Sequence, residues 1–298
     1  LALHPRIAVV TNVEYDHPDV FPGPRFLRLA FGNFVDQIRD EGVLIACSDD
    51  PVSHAVGACY HANGGSLRLY GKDEGVGLAW RAVDIEPVVD EGVAFIAVHE
   101  GVRMGKVRLR VPGVHNVLNA LAALGVATEL GVPFETACAA LESFTGTARR
   151  FEVLGEATGV TVIDDYAHHP TQIAAVLDAA HQRYPGRSIL AVWQPHTFSR
   201  VRALWDDFLV AFEGADRVII LPIYAAREVD DGSVNHRDLA AALDHPAVTG
   251  ADSLEAAARM LAQEVKKGDV VILMGAGTEY KVGEKLLKLL GGDGERED

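Results

Sequence analysis

From Gly146 onward the sequence alternates short, almost unbroken apolar runs with helix-length segments, and this rhythm limits the possible folds more than any other feature. The apolar runs lie at 161–164, 188–193, 217–221, 247–249 and 269–274. The helical stretches between them lie near 170–184, 201–212, 236–243, 253–266 and 280–290. A strand that is apolar on both sides offers no face to water, so it must be covered above and below. Strands of this kind joined through helices predict an α/β unit with a mostly parallel, doubly wound sheet.

The first half of the chain has a different texture. A strand at 6–12, a helix at 24–38 and a strand at 43–47 give way to β-prone stretches at 66–70, 93–98 and 106–111. Gly and charged turns separate these stretches, a pattern that predicts antiparallel strands appended to the sheet. Two helices follow, at 116–130 and 133–144, with Gly131 as the stop of the first. We place a domain boundary at 145/146, giving domains 1–145 and 146–298, and expect the charged tail 291–298 to fray.

A chain of 298 residues can build two cores of ordinary size. The formal net charge of −15 argues against general binding to nucleic acid or anionic membrane. A phosphorylated substrate is compatible with it, provided local cations meet the phosphates. No apolar run approaches the roughly 18–20 residues of a membrane helix. Cys47, Cys59 and Cys138 form no metal-binding or disulfide pattern, which suits a reducing cytoplasm. The opening residues pass at once into a core-type strand at 7–10, and we expect the natural start to lie upstream.

Ligands of open parallel sheets sit beyond the carboxyl ends of the strands, so the loops there hold the candidate residues. The loop Thr11-Asn12-Val13-Glu14-Tyr15-Asp16-His17-Pro18-Asp19 offers carboxylates and an imidazole for a cation, or reads equally well as a solvated turn. Asp164-Asp165-Tyr166-Ala167-His168-His169-Pro170 ends a strand and opens a helix. Its Asp residues can accept sugar hydroxyls and the helix start favours anions, while the bland alternative is a cap with two surface histidines. Gln194-Pro195-His196-Thr197-Phe198-Ser199-Arg200 repeats that placement, with Arg200 able to meet phosphate or carboxylate. Asn116 and Asn119 share a helical face, as base-reading amides or as caps. Arg149 and Arg150 stand at the hinge, for phosphates or as a solvated ion-pair site. Gly275-Ala276-Gly277 lacks the third glycine of a dinucleotide fingerprint and reads as a tight turn.

Taken in order, these segments resemble the Mur ligases over essentially the whole chain. Asp164–Thr171, Gln194–Arg200, Tyr224-Ala225-Ala226-Arg227-Glu228 and Gly275-Ala276-Gly277 look like the L-alanine-adding branch. The resemblance implies the later part of a P-loop-type central domain followed by a Rossmann-like C-terminal domain. It implies ATP and Mg²⁺ as cofactors, UDP-N-acetylmuramate and L-alanine as substrates, and a cytoplasmic enzyme of peptidoglycan synthesis. By the same resemblance His17 contacts Mg²⁺, Asn116 and Asn119 contact the nucleotide, Arg150 reaches the ATP phosphates and Asp165 the ribose. Tyr166, His168, His169, His196 and Arg200 would line the cleft where amino acid and muramate carboxylate meet. Two departures stand out. Thr197 occupies a position where many members carry Arg, and no G-x-x-x-x-G-K-[ST] phosphate loop occurs in these residues. We therefore expect a fragment, inactive alone. The rival readings are a ligase that attaches a preformed peptide, a non-catalytic module of the same fold, and a metal-dependent hydrolase built on His17, His168 and His169.

Overall fold

The computed structural model describes residues 3–74, 77–89 and 91–292, so most of the tail expected to fray lies outside the described residues. The chain divides into two compact units, Leu1–Thr145 and Gly146–Asp298.

In the first unit the elements run β1 (Ile7–Val10), α1 (Pro24–Val35), β2 (Val43–Cys47), α2 (Pro51–Ala62), β3 (Ser66–Gly71), β4 (Leu78–Val88), β5 (Gly92–His99), β6 (Val102–Leu109), α3 (Val114–Glu129) and α4 (Phe134–Ser143). Among the described residues the strands lie in sequence order in one sheet. The sheet is parallel from β1 to β4 and antiparallel from β4 to β6. The antiparallel expectation therefore holds for 93–98 and 106–111 and fails for 66–70, which pairs parallel with β2. The physical reason is α2, which the sequence reading missed: a parallel pair needs a crossover, and this helix supplies it. Asp50 starts α2 by accepting the Ser53 N–H at 2.6 Å, and Pro51 presets the first turn. On one side of the sheet Ile45, Tyr70, Trp80 and Phe95 pack with Leu121 and Leu124 of α3.

The second unit runs β7 (Glu152–Ala157), β8 (Val160–Asp165), α5 (Pro170–Arg183), β9 (Ile189–Gln194), α6 (Phe198–Ala203), α7 (Trp205–Leu209), β10 (Arg217–Ile220), α8 (His236–Ala242), β11 (Val248–Gly250), α9 (Leu254–Glu264), β12 (Val270–Gly275) and α10 (Tyr280–Gly291). The sheet order is β11-β10-β9-β12-β8-β7, parallel throughout except for β7. Every residue of β8, β9 and β12 is buried, as unbroken apolar runs require. The single helix expected over 201–212 is instead broken at Leu204, which leaves helical geometry at φ −118°. The break lets Phe208 and Phe212 seat their rings 4.6 Å and 5.3 Å from that of Trp193. Full burial of such a ring is worth about 1.5–3 kcal/mol, enough to outweigh the lost helical turn.

Candidate functional site

β8, β12 and β9 are neighbours, so the loops leaving their carboxyl ends meet at one edge of the second sheet. Asp165 closes β8. It is 4 % exposed, and its two carboxylate oxygens accept the N–H groups of Ala167 and Phe151, each at 2.8 Å. Burial pushes its pKa up to about 6, against the opposing pull of those two N–H groups and of the Arg150 charge. The geometry makes Asp165 first a brace of its own loop; any sugar hydroxyl must use its remaining lone pairs. Beyond it, the edge of the Tyr166 ring meets His168, whose Nδ1 lies 2.8 Å from the Tyr166 carbonyl. His168 and His196 bring the second and third loops together, with ring centroids 6.1 Å apart. His169 is buried and occupies the N-cap position of α5.

The raised pKa carries a sign. A carboxyl whose pKa is higher folded than unfolded stabilises the fold below the unfolded value, and that contribution is lost as pH rises through about 6. The unfolding free energy of wild type relative to Asp165→Asn should therefore be about 1 kcal/mol lower at pH 7.5 than at pH 5. Urea titrations at both pH values measure it. A difference that rises with pH would mean that the two N–H groups and Arg150 outweigh burial.

The two hinge arginines, alike in sequence, part company in space. Arg150 is exposed, with its guanidinium carbon 5.5 Å from the Tyr166 ring centre. Arg149 turns inward. Its Nε donates to Asp164 Oδ2 at 2.9 Å, and Nη2 donates to the Gly275 carbonyl at 3.1 Å and to the Glu279 carboxylate. Asp164 and Glu279 are almost fully buried, and burial raises the pKa of each against the pull of Arg149. The sequence treats the two arginines as one unit and reads Asp164 as a sugar-hydroxyl acceptor; its capture of Arg149, and Glu279 altogether, are what that reading misses. The missed signal was an Asp inside an apolar central strand, which needs a cation or several donors to be buried at all.

In the loop after β9, Arg200 is 3 % exposed and donates Nη1 to the His196 carbonyl at 3.0 Å, with His196 Nδ1 at the same distance. The Ser199 N–H donates to Glu228 at 3.0 Å, tying α6 to the Tyr224–Glu228 segment. Gln194 receives the Thr278 N–H at 2.7 Å and so joins this loop to the one after β12. Gly277 must be glycine here: a Cβ would collide with the Gln194 carboxamide and come within 2.9 Å of the Tyr224 ring. Thr197, buried, holds φ +65°, a conformation costly for a β-branched residue.

In the first unit, Asn116 donates Nδ2 to the Pro112 carbonyl at 2.7 Å, and the exposed Asn119 donates to Asn116 Oδ1 at 3.3 Å. The two amides share a helical face as expected, but Asn116 does not cap α3, whose N-cap is Gly113 with no side-chain cap bond, and Asn119 faces water. His17 is exposed at φ +56°, and its N–H donates to Asp16 Oδ1 at 2.7 Å. Among the described residues no three His, Cys, Asp or Glu side chains cluster so as to hold a metal ion. Mg²⁺ asks for near-octahedral oxygen ligands, and the imidazole of His17 with its neighbouring carboxylate does not make such a set. A nucleotide is a better match. Within the second unit, Arg150 and the Tyr166 ring are phosphate- and stacking-type partners, and neither is buried.

Residues 1–127 match the Mur ligase middle domain and 149–277 match the Mur ligase glutamate ligase domain. The chain is 42% identical to a UDP-N-acetylmuramate–L-alanine ligase of Frankia casuarinae, over 97% of its length and 64% of the relative's. It is 40% identical to a ligase of the same name from Caldanaerobacter subterraneus subsp. tengcongensis, over 97% of its length and 62% of the relative's. The chain thus spans less than two thirds of the relatives it matches. Among solved structures, the UDP-N-acetylmuramate–alanine ligase of Thermotoga maritima superimposes with a TM-score of 0.74 at 23% identity, over 98% of this chain and 61% of that one. The MurF ligase of Thermotoga maritima in complex with ADP gives 0.77 at 21% identity, over 97% and 63%. At these identities the superpositions speak for the fold.

Proposed function

We propose that this chain, which belongs to the Mur ligase family, is part of an ATP-dependent ligase that joins L-alanine to UDP-N-acetylmuramate in the cytoplasm. The observation that carries the reading is the meeting of Tyr166, His168, His196 and Arg200 beyond the ends of β8 and β9, which flank β12, beside an exposed Arg150. Identity of 40–42% to ligases named for this reaction supports it. The peptide-attaching alternative has no observation of its own in its favour.

In the reaction the muramate carboxylate takes the γ-phosphoryl group of ATP, releasing ADP. The amine of alanine then displaces phosphate and forms the amide. Two anions must approach each other, and Arg150 offers the guanidinium that stabilises the transferring oxygens. Asp165 would hold the ribose, and Arg200, oriented by the His196 carbonyl, a carboxylate of the substrates. His168 and His196 can orient the amine or carry its proton away, and His169 supports them from the helix start. His17 by itself would not hold Mg²⁺, because an imidazole beside one carboxylate does not supply the oxygen ligands that the ion asks for.

The test supplies the phosphate loop that this sequence lacks. The chain alone, and the chain joined to the upstream segment of the Frankia casuarinae ligase, are assayed for ATP-dependent incorporation of L-alanine into UDP-N-acetylmuramate. The joined protein should ligate and the chain alone should not. A folded joined protein that ligates nothing, or prefers a peptide to L-alanine, refutes the reading.

A further inference from the structure

Arg150 stands on an unusual piece of backbone. The residues on either side of it, Arg149 and Phe151, both hold left-handed geometry, at φ +58° and +51°. Neither is a glycine, so such a pair persists only where the surroundings over-determine it. The surroundings do so here through hydrogen bonds. The Arg149 N–H donates to Glu152 at 2.7 Å, the Phe151 N–H to Asp165 at 2.8 Å, and the Tyr166 N–H to the Arg149 carbonyl at 2.8 Å. The side chain of Arg149 then locks this loop to the rest of the sheet edge. It reaches Asp164 at the end of β8, and the Gly275 carbonyl and Glu279 in the turn after β12. Its guanidinium lies 5.1 Å from the Tyr166 ring centre and 5.4 Å from that of Tyr280.

We propose that Arg149 is the positioning residue for Arg150: by clasping the β8 end and the Gly275–Glu279 turn together, it fixes the strained backbone from which Arg150 extends. The geometry calls for arginine in particular. Its planar fork donates in several directions at once, so one side chain meets two buried carboxylates and a carbonyl. A lysine carries the same charge but is a single point on a flexible stem, and it cannot hold all three. Opposite orientation divides the labour between the neighbours: Arg149 spends its donors on the protein, and Arg150 keeps its guanidinium at the surface. Arg149 affects turnover only if the ligase reading holds, whereas its grip on the Arg150 backbone is independent of that reading.

Amide hydrogen exchange on the 298-residue chain tests the grip directly. Arg149→Lys should speed exchange at Phe151 and Tyr166 by about tenfold or more, while the amides of β9 stay protected. Glu279→Gln removes one anchor and leaves Arg149 in place, so it should speed the same two amides even if Arg149→Lys fails to fold. Unchanged exchange at both amides in either folded variant overturns the proposal. A double-mutant cycle in the joined enzyme gives a second readout. Arg149→Lys should lower kcat about tenfold with Arg150 present and less than about twofold once Arg150 is alanine. Equal losses in the two backgrounds would mean that Arg149 acts on stability alone, again overturning the proposal. If Arg150→Ala costs nothing, it is the ligase reading that fails, and the exchange rates still decide whether Arg149 holds the loop.

Discussion

Arg150→Ala should lower turnover of the joined enzyme by about 10²–10³-fold, while Thr197→Ala should change it by no more than a few fold. The two positions separate charge from geometry. Arg150 is an exposed guanidinium beside the Tyr166 ring, close enough to Asp165 to feel its charge. In a water-poor site, one preorganised donor aimed at phosphate oxygens is worth about 3–4 kcal/mol in the transition state. Thr197 carries no charge, is buried, and holds a backbone conformation that alanine tolerates at least as well as a β-branched residue. If the loss at Arg150 appears in kcat and kcat/KM equally, the interaction is one made only in the transition state. Wild-type turnover in Arg150→Ala would remove this residue, and the mechanism built on it, from the chemistry.

The parts of the fold legible in the sequence are those where burial leaves no choice. β8, β9 and β12 read as apolar runs because both faces of each strand are covered. β3 was misread because Ser66-Leu67-Arg68-Leu69-Tyr70 alternates like a half-exposed antiparallel strand. Its parallel pairing depends on α2, whose small and mixed residues give a weak periodic signal in sequence. The split at Leu204 was equally hidden, since it follows from how Phe208 and Phe212 reach Trp193 and not from any local breaker. In the site, the loops at strand ends were legible from chain order alone. The division of roles between Arg149 and Arg150 was not. It depends on which guanidinium the buried Asp164 and Glu279 capture, and those two lie 115 residues apart (279 − 164).

The 298-residue chain by itself should bind Mg-ATP no more tightly than roughly millimolar, about −4 kcal/mol. In phosphate-loop proteins most donors to the β- and γ-phosphates are backbone N–H groups of that loop, and its pattern does not occur in this sequence. What remains is sparse. Asn119 is an exposed amide and Arg150 an exposed guanidinium, and each competes with water for its partner. Asp165 has both carboxylate oxygens already engaged by backbone N–H groups, so a ribose gains little from it. A net charge of −15 adds a repulsive background for an anionic nucleotide. Joining the phosphate-loop segment should bring the affinity to roughly micromolar, a gain of about 4 kcal/mol. Isothermal calorimetry on both proteins, at matched ionic strength, measures the difference. Micromolar binding by the chain alone would show that its own residues form a complete nucleotide site, and the proposed dependence on a phosphate loop would be wrong.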